Sequence, residues 1–168
     1  DAEWGMAMRL TDSSPFPYAM TLGALPHNDL IYALGKRLGE RKRAMGVHVS
    51  FSPVADVNTA STNPIIGIRA FGDNPRQVAN KAQAFMEGLQ SSGVMGVAKH
   101  FPGHGDATTD SHTDLPQILR SKTLLDSIDI YPFKKLIKAN VKGVMVGHLD
   151  VPALSGTTNI PVSTSKKV

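Results

Sequence analysis

The stretch Lys99-His-Phe-Pro-Gly-His-Gly-Asp-Ala-Thr-Thr-Asp-Ser-His112 decides how the rest of this sequence is interpreted. It holds three histidines, two aspartates, two glycines and a lysine, a density of polar chemistry that ordinary turns do not need. The apolar run 94–98 leads directly into it, which predicts a buried strand that ends in a polar loop. Because α/β folds place their chemistry at the carboxyl ends of parallel strands, the stretch is predicted to be a functional loop.

Two other apolar runs, which begin at Val47 and Val144, resemble the run before this loop. Patterns typical of helices occupy residues 28–45 and 74–92 between the runs, and a further helical region follows the loop. Strand–loop–helix units of this kind predict a parallel sheet. Polar residues follow each run, as in a βα barrel, and a doubly wound open sheet is the alternative.

Composition excludes several classes of protein. The net charge is only +4, and the basic residues are scattered apart from a group on the predicted helix 28–45 and the pair Lys166-Lys167, so a solvated helix face is favoured over nucleic-acid binding. There is no cysteine for a disulfide framework, and no apolar run approaches the ~18 residues of a membrane span. The sequence contains neither a G-x-G-x-x-G pattern nor a P-loop, and we expect no cofactor.

The loop contains a candidate acid/base pair. Asp110 lies two residues before His112, close enough for the carboxylate to fix the imidazole tautomer and raise its basicity. A surface turn capped by Asp110 is the alternative. Lys99 stands at the end of a buried strand, where a lysine is costly unless it meets an anion or a network of hydroxyl groups, and we therefore expect it to belong to a site.

The same loop offers donor atoms for a metal ion. The candidate ligands are His100, His104, Asp106, Asp110 and His112. Their spacing matches none of the usual zinc patterns, so the sequence predicts no metal site.

The loop, followed by Asp114-Leu-Pro116, strongly resembles the family-3 glycoside hydrolases, in particular the bacterial β-N-acetylhexosaminidase branch. The resemblance runs through the whole chain, with further matching segments at Asp1-Ala-Glu-Trp-Gly5, Ser50-Phe-Ser-Pro-Val-Ala-Asp-Val57, Ile68-Arg-Ala-Phe-Gly72 and Val144-Met-Val-Gly-His148. It implies a (β/α)8 TIM barrel of the α/β class. Residues 1–168 would be a partial catalytic barrel domain, about half of the barrel, from the end of strand 2 to just after strand 5.

The resemblance also implies an activity. The protein would be a retaining hydrolase that releases terminal β-linked N-acetylglucosamine from cell-wall or chitin-type oligosaccharides, as in peptidoglycan recycling, in a bacterial cytoplasm or periplasm. His112 and Asp110 match the family's acid/base dyad. The positions that match residues binding the sugar are Asp1, Arg69, Lys99 and His100.

The family's nucleophile, an aspartate on the sixth strand, would lie beyond residue 168. Asp56, Asp106 and Asp114 do not match its motif. We therefore expect the remainder of a parent chain to complete the barrel, and the isolated chain to bind sugar poorly and not to turn over.

Three alternatives stay open beside this interpretation. A β-glucosidase or β-xylosidase of the same family is disfavoured by the Asp110 and His112 pair. A phosphorylase is possible because a histidine carries no negative charge to repel phosphate. A sugar-binding fragment without catalysis is the non-enzymatic alternative.

Overall fold

A computed structural model describes residues 1–109 and 114–168. The fold is built on a parallel sheet. The strands are β1 (Val49–Ser50), β2 (Met95–Phe101) and β3 (Gly143–Val146), in the order β1-β2-β3. Val49 pairs with Met95, and Val97 pairs with Gly143. All carboxyl ends of these strands therefore lie at one edge of the sheet, as the strand–loop–helix pattern predicts.

Helices connect and flank the strands. They are α1 (Ala19–Gly23), α2 (Asp29–Ala44), α3 (Pro75–Ser91), α4 (Lys122–Leu124), α5 (Tyr131–Lys138) and α6 (Pro152–Ser155). A π-helical turn, Leu125–Asp129, joins α4 to α5, and 3-10 turns occupy Met6–Met8, Gly67–Arg69 and Val162–Thr164. None of the helices in the described ranges is long and apolar enough to cross a membrane.

The two long helices follow directly from local sequence signals. The Asn74 side chain accepts hydrogen bonds from the first backbone N–H groups of α3, and Pro75 occupies the first position, where its missing N–H costs nothing. Gly46, at φ +76°, follows the end of α2. The two helices approach closely because Gly88 of α3 has no side chain, and a Cβ there would lie 2.1 Å from the carbonyl oxygen of Tyr32.

Apolar side chains form two clusters around the sheet. The larger lies between α2, α3, α5 and the strands, and contains Ile31, Leu38, Phe85, Met86, Leu89, Ala98 and Phe133. The smaller packs beneath the segment after β2 and contains Ala107, Ile118, Leu125, Leu149 and Val162. The second cluster gives the polar loop an apolar support of its own.

One local prediction differs from the structure. The run that begins at Val47 keeps only two residues as regular strand, because Pro53 has no backbone N–H to donate to a ladder. Its chain still follows β2, since the N–H groups of Val97 and Lys99 donate to the carbonyls of Ser52 and Pro53. The helical region that follows the polar loop divides at Ile130, and Pro132 lies in the first turn of α5, where its missing N–H costs nothing.

Candidate functional site

Lys99, near the end of β2, forms the centre of a charged cluster. Its side chain is 2% exposed, and its ammonium nitrogen lies 2.8 Å from Oδ1 of Asp1 and 2.7 Å from Oε1 of Glu3. The buried lysine therefore meets the anionic partners that its position in the sequence requires. A second cation, the guanidinium of Arg69, joins the cluster from another part of the chain.

Arg69 reaches the same carboxylate from the 3-10 turn Gly67–Arg69. Its Nε and Nη2 atoms donate to the two oxygens of Glu3 at 2.9 and 2.7 Å, a bidentate pairing that fixes both distance and orientation. Nη1 donates to the carbonyl of Ile65, which holds the guanidinium against its own turn. Nη2 also lies 3.4 Å from Nε2 of His100. Glu3 therefore links Lys99 to Arg69.

His100 is oriented from behind by Asp56, a carboxylate that is fully buried. Nδ1 of His100 lies 2.7 Å from Oδ2 of Asp56, and the backbone N–H groups of His100 and His104 donate to the same carboxylate. The tautomer with its proton on Nδ1 satisfies this contact and leaves Nε2 to accept from Arg69. Asp56 therefore fixes both the ring and the backbone of His100.

Electrostatic interactions keep these carboxylates ionised. Burial raises the pKa of Glu3, but the hydrogen bond from Arg69 and the charge of Lys99 outweigh burial and hold this pKa below its ordinary value. The pKa of Asp56 is likewise lowered, because His100 and two backbone N–H groups overcome the cost of burial. Burial lowers the pKa of Lys99, and Glu3 opposes this shift.

The segment that carries Asp1 and Glu3 is held by a second buried lysine. Nζ of Lys42, in α2, donates to the carbonyl of Ala2 at 3.1 Å and to Oγ of Ser50 at 2.5 Å. Burial, assisted by the charge of Lys99, lowers the pKa of Lys42 to about 8. This contact places the backbone between the two carboxylates next to the end of β1.

The loop after β2 is braced at its base. Arg120 makes a bidentate contact with Asp106 and also contacts Thr59 and the buried carboxylate of Asp129. The backbone of the loop comes very close to the chain after β1, because a Cβ at Gly105 would lie 1.7 Å from the carbonyl oxygen of Val57. Only glycine permits this approach.

Two of the possible metal ligands in the described part of this loop are bonded to other side chains. His100 is bonded to Asp56, and Asp106 is bonded to Arg120. Burial lowers the pKa of His104, and neither of its ring nitrogens has a hydrogen-bond partner among the described residues. In the part of the chain that the structure describes, no group of three or more His, Asp or Glu side chains is arranged to hold a metal ion.

Four of the six site residues predicted from sequence lie together in the structure: Asp1, Arg69, Lys99 and His100. The remaining two, Asp110 and His112, lie outside the described residues. Glu3 and Asp56 are functional residues whose roles the sequence patterns did not reveal. Glu3 lies two residues after Asp1, so that both side chains can face one side of an extended segment, and this spacing was the available signal.

The arrangement can bind a polar, uncharged ligand with many hydroxyl groups. Ammonium and guanidinium groups donate hydrogen bonds, and carboxylates accept them, from fixed positions at one edge of the sheet. Sugars present alternating donors and acceptors that such a cluster matches. The carboxylates described in this cluster are each engaged, since Asp1 and Glu3 contact Lys99 and Asp56 contacts His100.

Comparison with known proteins assigns this architecture. The family described as "Glycosyl hydrolase family 3 N terminal domain" matches residues 1–168. Beta-hexosaminidase A from Pseudoalteromonas piscicida is 35% identical over 163 residues, which are 94% of this chain and 27% of that protein. The chain spans less than half the length of such relatives.

Solved structures give the same fold. A family-3 β-N-acetylglucosaminidase from Paenibacillus sp. str. FPU-7 superposes with a TM-score of 0.89 at 35% identity, covering 96% of this chain and 31% of that one. NagZ from Neisseria gonorrhoeae, in complex with N-trifluoroacetyl-D-glucosamine, superposes with a TM-score of 0.81 at 31% identity, covering 89% of this chain and 46% of that one. The parallel sheet is therefore part of a TIM-barrel-type fold, as predicted.

Proposed function

The chain belongs to glycosyl hydrolase family 3, and from this we propose that the protein is a retaining β-N-acetylhexosaminidase that releases terminal β-linked N-acetylglucosamine. Residues 1–168 would form about half of its catalytic barrel domain. The names of its relatives support the substrate class, since one is a beta-hexosaminidase and another a β-N-acetylglucosaminidase. The neighbour from Neisseria gonorrhoeae binds an N-acylated glucosamine analogue.

One observation carries the proposal. Asp1, Arg69, Lys99 and His100 come from three separate segments of the chain and converge on one place at the carboxyl end of β2. In barrel enzymes this end of the strands is where substrate binds. We assign these four side chains to the hydroxyl groups of the terminal sugar, with Glu3 and Asp56 holding them in position.

His112 would act as the general acid and base, with Asp110 fixing its tautomer. An imidazole titrates near neutral pH, so it can donate a proton to the glycosidic oxygen in the first step and accept one from water in the second. A nucleophilic aspartate outside residues 1–168 would attack the anomeric carbon and form the glycosyl-enzyme intermediate of a retaining mechanism. Water then releases the sugar with its β configuration.

The natural substrates would be cell-wall or chitin-type oligosaccharides. The bound sugar would be oriented by fixed charges before the reaction, so that little reorganisation remains in the transition state. No cofactor takes part in this scheme.

The experiment uses the full-length protein and analyses products as well as rates. We expect cleavage of p-nitrophenyl β-N-acetylglucosaminide to give free N-acetylglucosamine, in phosphate and in phosphate-free buffer, with no effect of a chelator. A sugar phosphate as the product would support a phosphorylase instead. Faster cleavage of the matching glucoside or xyloside would overturn the assignment of the sugar.

A further inference from the structure

Arg120 connects four parts of the chain near the polar loop. Its Nε and Nη2 atoms donate to the two oxygens of Asp106 at 2.8 and 2.6 Å. Nη2 also donates to Oγ1 of Thr59 at 2.6 Å, and that hydroxyl donates to Asp106 at 3.1 Å. Nη1 donates to Asp129 at 3.2 Å. A planar guanidinium held on two edges leaves Asp106 little freedom of orientation.

The contact between Arg120 and Asp106 is important because of where the two residues lie in the sequence. Asp106 precedes Asp110 by four residues, and Arg120 follows His112 by eight. The Arg120–Asp106 contact therefore joins the two ends of the segment that carries the proposed acid/base pair. We call Asp106, Arg120 and Thr59 the loop clamp.

The loop clamp is fixed to the body of the fold on two sides. Thr59 belongs to the chain that follows β1, and Asp129 ends the π-helical turn before α5. Asp129 is fully buried and packs against the loop backbone, because a Cβ at Gly103 would lie 2.7 Å from its Cβ. Gly103 adopts φ +131°, a conformation that favours glycine.

We propose that the loop clamp positions the segment carrying Asp110 and His112 for proton transfer to the departing sugar oxygen. The proposal rests on the proposed function and adds three positioning residues to it. A general acid works only within hydrogen-bond reach of the atom it protonates. A displacement of about 1 Å costs on the order of 100-fold in rate, so the fixed ends of this segment matter to the reaction.

Substrates whose leaving groups differ in their need for protonation test the positioning role of the loop clamp in the full-length protein. Phenyl β-N-acetylglucosaminide needs protonation of its leaving oxygen, whereas the 2,4-dinitrophenyl substrate departs with little help. For Asp106→Asn and Arg120→Met we expect kcat/KM to fall about 100-fold on the phenyl substrate and less than about 3-fold on the dinitrophenyl substrate. The variant His112→Ala provides the reference pattern.

Conservative changes separate the geometry of the clamp from its charge. Thr59→Ser keeps the hydroxyl and should retain activity on both substrates, whereas Thr59→Val should show the dependence on leaving group without removing a charge. Arg120→Lys should not restore the phenyl activity, because an ammonium cannot make the bidentate contact. The matched controls are Lys122→Met, which breaks an exposed ion pair with Asp126, and Asp126→Asn, which breaks that pair and the exposed pair with Lys134, and both should leave the two rates unchanged.

The outcomes distinguish failure of the clamp from failure of the proposed function. Equal losses on both substrates in the folded clamp variants, with the expected pattern in His112→Ala, would overturn the clamp alone and leave His112 as the acid. The absence of any dependence on leaving group in His112→Ala would overturn both proposals. If the Asp106 and Arg120 variants do not fold, the comparison of Thr59→Val with Thr59→Ser decides the result.

Discussion

At the scale of single residues, the site depends on a carboxylate that the motif alone did not reveal. The sequence predicts site roles for Lys99 and Arg69, because a buried lysine and a matching motif each suggest a site. It could not place Glu3 between them, since a sequence contains no distances between residues 3, 69 and 99. The structure shows Oε1 of Glu3 at 2.7 Å from both cations.

Replacement of Glu3 tests this central position. We expect Glu3→Gln to weaken binding of N-acetylglucosamine about 10- to 100-fold, because the carboxylate that pairs with Arg69 through two hydrogen bonds and with Lys99 through a third contact loses its charge. The free energy of unfolding should fall by about 3 kcal/mol, as expected when one partner leaves a buried ion pair. Calorimetric titration and chemical denaturation measure the two effects.

Glu40→Gln is the matched control, because Glu40 makes only an exposed contact with Arg37 at 3.5 Å. Sugar affinity in Glu3→Gln equal to that of the control would contradict the assigned position of Glu3.

Asp129 makes stability depend on pH. Burial raises its pKa from 3.8 to about 6, against the opposing charge of Arg120. The ionised carboxylate therefore destabilises the folded state above pH 6, and this penalty disappears as the pH falls below 4, where the side chain is protonated in both states. We expect Asp129→Asn to be more stable than the wild type by about 2–3 kcal/mol at pH 8, and equally stable near pH 3.5.

Chemical denaturation at a series of pH values measures this difference. A variant that is less stable than the wild type at pH 8 would show that the contact with Arg120 outweighs the cost of burial, contrary to the expectation.

At the scale of elements, prediction from the sequence succeeded where local signals are strong. The helices α2 and α3 have apolar faces with helical spacing, and Asn74-Pro75 and Gly46 mark their limits, so their bounds follow from the sequence. The strand that begins near Val47 was predicted too long, because hydrogen bonding around Pro53 depends on its partner strand. The π-helical turn before α5 has no sequence signal that local reasoning can detect.

The cap of α3 provides a test at this scale. The Asn74 side chain accepts from the N–H groups of Arg76 and Gln77 at 3.0 and 3.2 Å. We expect Asn74→Ala to reduce the free energy of unfolding by about 1 kcal/mol, because two N–H groups lose their acceptor. Asn74→Asp keeps an acceptor oxygen and should remain within a few tenths of a kcal/mol of the wild type. Equal destabilisation of both variants in chemical denaturation would show that the cap bonds do not stabilise the helix.

At the scale of the whole molecule, the site exists because the parallel sheet gathers distant segments. The chain after β1 brings Asp56, β2 brings Lys99 and His100, and the turn at residues 67–69 brings Arg69. The family resemblance predicted that Lys99, His100 and Arg69 belong to one site, and the TIM-barrel-type fold of the relatives accounts for their convergence. The contacts that hold the assembly in place required the structure.

The measurement that tests the account most directly is kcat of the full-length protein on p-nitrophenyl β-N-acetylglucosaminide, for the wild type, His112→Ala and His27→Ala. His27 is exposed and serves as the control. We predict that the wild type cleaves this substrate in preference to the glucoside, that His112→Ala loses about 10²- to 10⁴-fold in kcat, and that His27→Ala is unaffected. Full activity in His112→Ala, or cleavage of the glucoside alone, would contradict the account.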